Sequence, residues 1–369
     1  MRITKLDGLR GIFSLMIVLL HYHQLPEYVY TSFLIRESYV FVDFYFVLSG
    51  FVISYNYHTL ATPEDFWNYL KKRFARLYPL LLVTVLINLL LILFITHFFP
   101  QLRNNIESLS VHLLKALDSL TFLNSTPLLG SSSGINPPTW SISSEMISYI
   151  VFGLMGILLV GRRAKLTFSI ALIACSCAFL YFNGEFFSSG EYGFLRGLVG
   201  FFSGYLVWNL SRLQFKLNSN LEYLIPLFLT LILYRLNLIE NTSKEGLVFS
   251  MIAIPLFFSL SILCLLKTDG LLSKILDLKP IQFLGKISYS VYLNHAIINL
   301  VFPRTIFKIF KLRETTFNQI LVFAITLAIV LLFSSFTYTY VEKKGGKFLR
   351  KLLLQKFTVH KSYELRGDK

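Results

Sequence analysis

Apolar runs recur along the chain at approximately 6–25, 38–57, 77–99, 139–160, 166–183, 193–210, 221–238, 246–266, 284–302 and 317–340. Each is close to the roughly 20 residues that a helix needs to cross a hydrocarbon core. Short polar breaks separate them. Because a backbone in lipid must satisfy its own hydrogen bonds, this pattern predicts an all-α, polytopic transmembrane bundle of about ten helices. Pro79, Pro226 and Pro255 fall inside windows, which membrane helices tolerate when neighbours satisfy the freed carbonyls. Polar residues interrupt the first run and no small-residue cleavage site follows it, so it is expected to be a retained helix and not a signal peptide. No internal repeat is visible, and the organisation expected is one membrane-embedded domain over 1–342 with a basic tail over 343–369.

Composition removes the soluble alternatives. The 369 residues are 54% hydrophobic with 36 Phe and 20 Tyr, and mean hydropathy is +0.61. A soluble core needs far less apolar sequence. The net charge of +15 does not indicate nucleic acid, because the basic residues lie in the breaks, where they set membrane orientation. Counted over alternate breaks, Lys and Arg number roughly 25 on one side and roughly 8 on the other, which predicts that both termini are cytoplasmic. Arg304, Lys308, Lys311 and Arg313 stand against that trend on the outer side. Cys175, Cys177 and Cys264 sit in apolar stretches without metal-ligand or disulfide spacing, and no metal is expected.

Ionisable residues at bilayer depth are costly, and each marks a candidate site. In the first window Asp7, Arg10, Ser14 and His21 share one stripe of a helix, with Arg10 and His21 about 16 Å apart. An interfacial Asp7–Arg10 pair and a packed histidine are the plain alternative. His23 points elsewhere. Asp43 in VFVDFYFVLSGFVIS, the group Ser141, Ser144 and Glu145 in PPTWSISSEMISY, and His295 in SYSVYLNHA are expected at one depth with His21. Such a set is either a structural staple or a chamber in which a histidine is general base or acyl carrier and a carboxylate orients it. In WNYLKKRFARLYP, the residues Lys71, Lys72, Arg73 and Arg76 precede the third window. Such clusters usually set topology, but Arg73 and Arg76 on one face are also suited to forking onto phosphates.

These segments resemble the acyltransferase 3 family. The resemblance rests on LDGLRGIFSLMIVLLHY, VDFYFVLSGFVIS, KKRFARLYPL, PPTWSISSEM and LGKISYSVYLNHA, in order from Lys5 to about Glu342. It implies a bacterial inner-membrane enzyme of about ten helices that transfers acyl groups, commonly acetyl from acetyl-CoA, to sugars of surface polysaccharides. It also implies that Arg10 and His21 are essential and that Arg73, Arg76 and Glu145 are motif residues. The segment Ile142, Ser143, Ser144 before Glu145 departs from the family's usual serine-leucine-serine-valine-glutamate run. Some relatives append an outer-facing hydrolase-like domain. This length leads us to expect transfer within the membrane domain or with a separate partner.

Combining the two lines, acetyl-CoA is expected as donor, held by Arg10, Arg73 and Arg76, with His21 activating an acceptor hydroxyl or carrying the acetyl. Asp43 or Glu145 is expected to orient the ring or stabilise its imidazolium, and His295 to relay a proton or bind acceptor. The acceptor is expected to be a carbohydrate or lipid-linked glycan, arriving beneath the segment between Pro100 and Thr139. A transporter or flippase of a lipid-linked sugar is the rival, since intramembrane charges also mark transport pathways. Gly197, Gly200 and Gly204 would then let moving helices approach closely. A non-catalytic sensor or assembly subunit is the third reading. Transfer or hydrolysis of the acetyl of acetyl-CoA separates all three.

Overall fold

The computed structural model describes residues 3–98, 107–129 and 134–355, and no strand occurs among the described residues. The long helices are α1 (Thr4–Leu20), α4 (Phe41–Asn56), α5 (Pro63–Phe98), α7 (Thr139–Leu158), α8 (Arg162–Asn183), α9 (Gly193–Ser211), α10 (Leu224–Leu238), α11 (Lys244–Lys267), α13 (Lys279–Ile309) and α14 (Thr316–Thr337). Shorter pieces are α2 (Glu27–Tyr30), α3 (Phe33–Arg36), α6 (Leu109–Leu120), α12 (Leu271–Leu276) and α15 (Gly346–Leu354). Turns of 3-10 helix cover Glu37–Val40 and Ser219–Tyr223, and a π-helical turn covers Tyr338–Gly345. Every apolar window of the sequence falls on one of these helices.

Seven segments among the described residues are long and apolar enough to cross a membrane. The protein is thus a multi-pass helical membrane protein. Outside that set lie α1, α9 and α13, and the cause is polarity or length: α1 has 17 residues, α9 carries Arg196 among glycines, and α13 carries Asn294, His295 and Asn299. Those polar side chains are buried between helices. Chain segments that would be poor lipid neighbours thus become the inner wall of the bundle.

Two elements run longer than their apolar windows. Helix α5 is one continuous 36-residue element, so Lys71 to Arg76 lie within it, ahead of Pro79, and not in a preceding loop. Helix α14 continues through the π turn into α15, across the expected boundary at 342–343. Residues 356–369 of the expected tail, and 99–106 and 130–133 of the expected cover, lie outside the described residues.

Between helices in lipid the hydrophobic effect discriminates little, so close fit and buried polar contacts hold the bundle. Helices α4 and α9 make the most extensive pair, with α1 against α13 next. On the first seam, a Cβ at Gly50 would meet the Phe201 carbonyl and one at Gly204 the Val47 carbonyl, so the two backbones touch. Of the glycines expected to let helices approach closely, Gly200 and Gly204 lie on this seam and Gly197 faces Ser144 of α7. Beside it, Phe13 of α1 stacks on Phe41 at 4.2 Å and meets Phe44 edge-on at 4.9 Å, tying α1 to α4.

Candidate active site

Helices α1, α4, α5, α7 and α13 enclose a cavity of about 310 Å³ at the end of the bundle where α1 begins and α4 ends. Arg10 of α1 and Arg73 and Arg76 of α5 all line it. Each has a different neighbour. Arg10 reaches Asp7 at 3.4 Å, a long contact between two half-buried groups. Arg76 pairs with Glu342, a fully buried carboxylate on the π turn. The other oxygen of Glu342 accepts from Ser290 Oγ at 2.7 Å. Arg73 donates to the Tyr57 hydroxyl at 3.1 Å, while its buried Nε has no partner. Among the described residues, no carboxylate lies within 4.0 Å of Arg73. An anion entering this cavity finds one guanidinium without a counter-ion and another loosely paired.

Glu145 faces the same cavity and accepts from Ser49 Oγ at 2.6 Å and Tyr149 Oη at 2.5 Å. It therefore stands with the arginines and not beside His21. Ser141 also lines the cavity and donates to Tyr292 Oη at 2.8 Å. Ser144 turns away, its hydroxyl bonded to the Trp140 carbonyl.

The histidines form a pair of their own. His21 ends α1, and its ring lies 5.1 Å from that of His295 on α13. His21 Nδ1 bonds the Ile17 carbonyl at 2.9 Å and His295 Nδ1 bonds the Tyr292 carbonyl at 2.7 Å. A carbonyl oxygen only accepts, so both rings carry a proton on Nδ1, and in the neutral ring each presents Nε2 as a lone pair. His295 is fully buried and its Nε2 has no partner, whereas His21 is exposed at the helix end. The Tyr292 ring, 5.9 Å from that of His295, also lines the arginine cavity and so bridges the two regions.

Asp43 does not join them. Both its oxygens are held by Arg196, from Nε at 2.9 Å and from Nη2 at 2.7 Å, and the pair is buried. Arg196 also donates to the Tyr39 carbonyl at 3.1 Å and lies 5.0 Å from the Phe187 ring and 5.4 Å from the Trp140 ring. The expectation that Asp43 or Glu145 orients His21 is corrected: the Ile17 carbonyl does so, one turn back on the same helix. Arg196 carried a legible signal, being a charge inside the 193–210 window. Glu342, Tyr149 and Tyr292 carried little, since their importance depends on which helices meet.

The acyltransferase 3 family model, described as an acyltransferase domain, matches residues 3–339. Among relatives, "Protein 2 in picA locus" of Rhizobium radiobacter is 31% identical over 194 residues, covering 48% of this chain and 93% of that one. Acyltransferase MdmB of Streptomyces mycarofaciens is 31% identical over 159 residues, 42% of this chain and 39% of its own length. "Putative peptidoglycan O-acetyltransferase YrhL" of Bacillus subtilis (strain 168) is 26% identical over 321 residues, 79% of this chain and 48% of that one. The matched regions thus span less than half of both named enzymes. No solved structure matches the chain. With a family match over nearly its whole length on a multi-pass helical bundle, the chain belongs to the acyltransferase 3 family and is a membrane O-acyltransferase.

Proposed function

We propose that this protein moves an acetyl or other short acyl group from acyl-CoA to a hydroxyl of a cell-surface carbohydrate, such as O-antigen, exopolysaccharide or capsule, at a bacterial inner membrane. Both termini are then cytoplasmic, so the arginine cavity opens to the cytosol. The observation that carries the reading is the shared α1 scaffold, on which Arg10 lines an anion-binding cavity and His21 presents a free Nε2 about 16 Å further along. That separation suits a donor anchored by phosphates and reaching upward through its long pantetheine arm. The unpartnered Arg73 Nε and the absence, among the described residues, of a carboxylate beside Arg73 fit a phosphate-bearing substrate. Acetyl transfer to a cell-wall glycan is what YrhL is named for.

In this mechanism His21 Nε2 takes the proton of the acceptor hydroxyl as its oxygen attacks the thioester carbonyl. The carbon–sulfur bond then breaks, and the imidazolium returns the proton to the departing thiolate. The Ile17 carbonyl keeps the ring in the required tautomer. It also accepts the hydrogen bond of an imidazolium. His295, with its buried Nε2, relays a proton or holds the acceptor, and Glu145 shapes the donor cavity beside the arginines.

The test is acetyl transfer from labelled acetyl-CoA by purified His21→Gln protein. A general base contributes about 10²- to 10⁴-fold, so transfer falls by that factor while acetyl-CoA binding persists. Near wild-type turnover in the variant overturns the assignment. Trapping of an acetyl-protein adduct replaces direct attack by an acyl-imidazole route.

A further inference from the structure

A second cavity, of about 220 Å³, opens at the same end of the bundle between the α4–α5 turn, the end of α7, the start of α8 and the end of α9. Arg162, Lys165 and Arg212 line it together with Tyr57, His58 and Trp208, and no carboxylate is among its lining residues. Among the described residues, none of the three cations has an acidic partner within 4.0 Å.

The cations are held and not merely present. Arg162 Nε donates to Asn209 Oδ1 at 3.2 Å. Asn209 is itself buried and fixed by its donation to the Tyr205 carbonyl at 3.0 Å. Arg212 lies 5.2 Å from the Trp208 ring, whose centroid is 5.9 Å from that of His58. Lys165 is drawn inward by the Gly156 carbonyl at 3.2 Å. Helix α8 begins at Arg162 without a side-chain cap, and Gly161 before it has open space around it. The first amides of that helix are therefore free of a side-chain acceptor beside the cavity.

Membrane orientation requires basic residues in these loops. It does not require those at the start of α8 and at the end of α9 to converge on one cavity, nor a buried amide that steers one guanidinium. Three cations around one open cavity, with Arg162 and Arg212 exposed and Lys165 half-buried, repel each other unless an anion joins them. Tyr57 forms the partition from the first cavity, since its hydroxyl accepts from Arg73 on that other side.

We propose that this second cavity is a phosphate-binding site, separate from the arginine cavity and independent of the acyl-transfer reading. Arg162 and Arg212 fork onto the phosphate oxygens, and Lys165 adds a point charge. The phosphate comes either from the headgroup of an anionic phospholipid or from a soluble phosphate compound.

The experiment follows thermal unfolding of the full chain in detergent during titration with inorganic pyrophosphate, dihexanoyl-phosphatidylglycerol or dihexanoyl-phosphatidylcholine. Binding to the folded state raises Tm saturably. Wild-type protein responds to pyrophosphate or phosphatidylglycerol, and the double variant Arg162→Gln/Arg212→Gln loses at least about tenfold in apparent affinity, given the strength of charged hydrogen bonds. The titrations are run with the first cavity saturated by coenzyme A, and under that condition Arg73→Gln, in the other cavity, keeps the part of the response that the double variant loses. A response to phosphatidylglycerol alone assigns the lipid source, and one to pyrophosphate assigns the soluble source. If no probe acts saturably, or the double variant responds like wild type, the proposal is overturned. Lys165→Gln, which removes only the point charge, carries the same two outcomes if the double variant does not fold.

Discussion

Replacing Asp43 by Asn separates a structural carboxylate from a catalytic one. The substitution keeps the volume of the side chain but removes the counter-ion of Arg196, which is buried with it. Two charge-assisted bonds, at 2.9 and 2.7 Å, are weakened or lost. Leaving donors unsatisfied costs about 1–3 kcal/mol each, so two give about 2–6 kcal/mol. That agrees with the roughly 3–5 kcal/mol found when one partner of a buried ion pair is removed. The Tyr39 carbonyl retains one guanidinium contact, which favours the lower half of that range. Asp43→Asn therefore loses thermal stability and folded yield, while the protein that does fold keeps most of its acetyl-transfer turnover per molecule. Asp43→Leu combined with Arg196→Met removes both charges and recovers much of the stability, since buried pairs exchanged for apolar residues are often neutral or better. The assay pairs unfolding in detergent with turnover normalised to folded protein. Full stability with turnover reduced a hundredfold would refute the structural assignment and return Asp43 to the reacting groups.

Further outcomes follow from the same geometry. Arg73→Ala weakens acetyl-CoA binding by about tenfold or more through loss of a charged phosphate contact, measured by equilibrium binding. Arg76→Ala leaves Glu342 buried and unpaired, so its main effect is a fall in Tm, and Glu342→Gln shares it. On α6, burial without a partner for Oδ1 pushes the Asp118 carboxyl up to about 6. The native state then holds a proton that the unfolded chain has released, so this group's contribution to stability falls as pH rises from about 4 to about 6. Asp118→Asn removes that slope, as seen in Tm against pH; an unchanged profile would contradict the buried carboxyl. Reporter fusions after Lys369 and within 130–133, both outside the described residues, report opposite sides of the membrane if the termini are cytoplasmic.

Much of the helical frame was legible because lipid imposes it: apolar runs mark the ten long helices, though not the short ones such as α6. The site was legible where several polar residues share one element, as Arg10 and His21 do on α1, or Arg73 and Arg76 on α5. Partner choice was not. Depth along a helix can be counted at 1.5 Å per residue, but azimuth between helices cannot. Asp43 and Glu145 were expected at the level of His21, yet one turns to Arg196 and the other to the arginine cavity. His295 shows the converse, since its expected depth and its meeting with His21 coincide. Glu342 stayed hidden because a π turn, which sequence periodicity does not announce, brings it to Arg76.

The glycine seam has a mechanical consequence. Where two backbones touch along several turns, neither helix rotates or slides without the other, and α4 and α9 act as a single strut. That strut bears Ser49, which holds Glu145, and Arg196, which holds Asp43. Admission of a donor is then accommodated by the opposite wall, where α5 meets the π turn at the pair of Arg76 with Glu342 and at the close approach of Gly345 to Pro79. A covalent tether across the seam leaves turnover unchanged, whereas one fastening α5 to 338–345 slows the release of product.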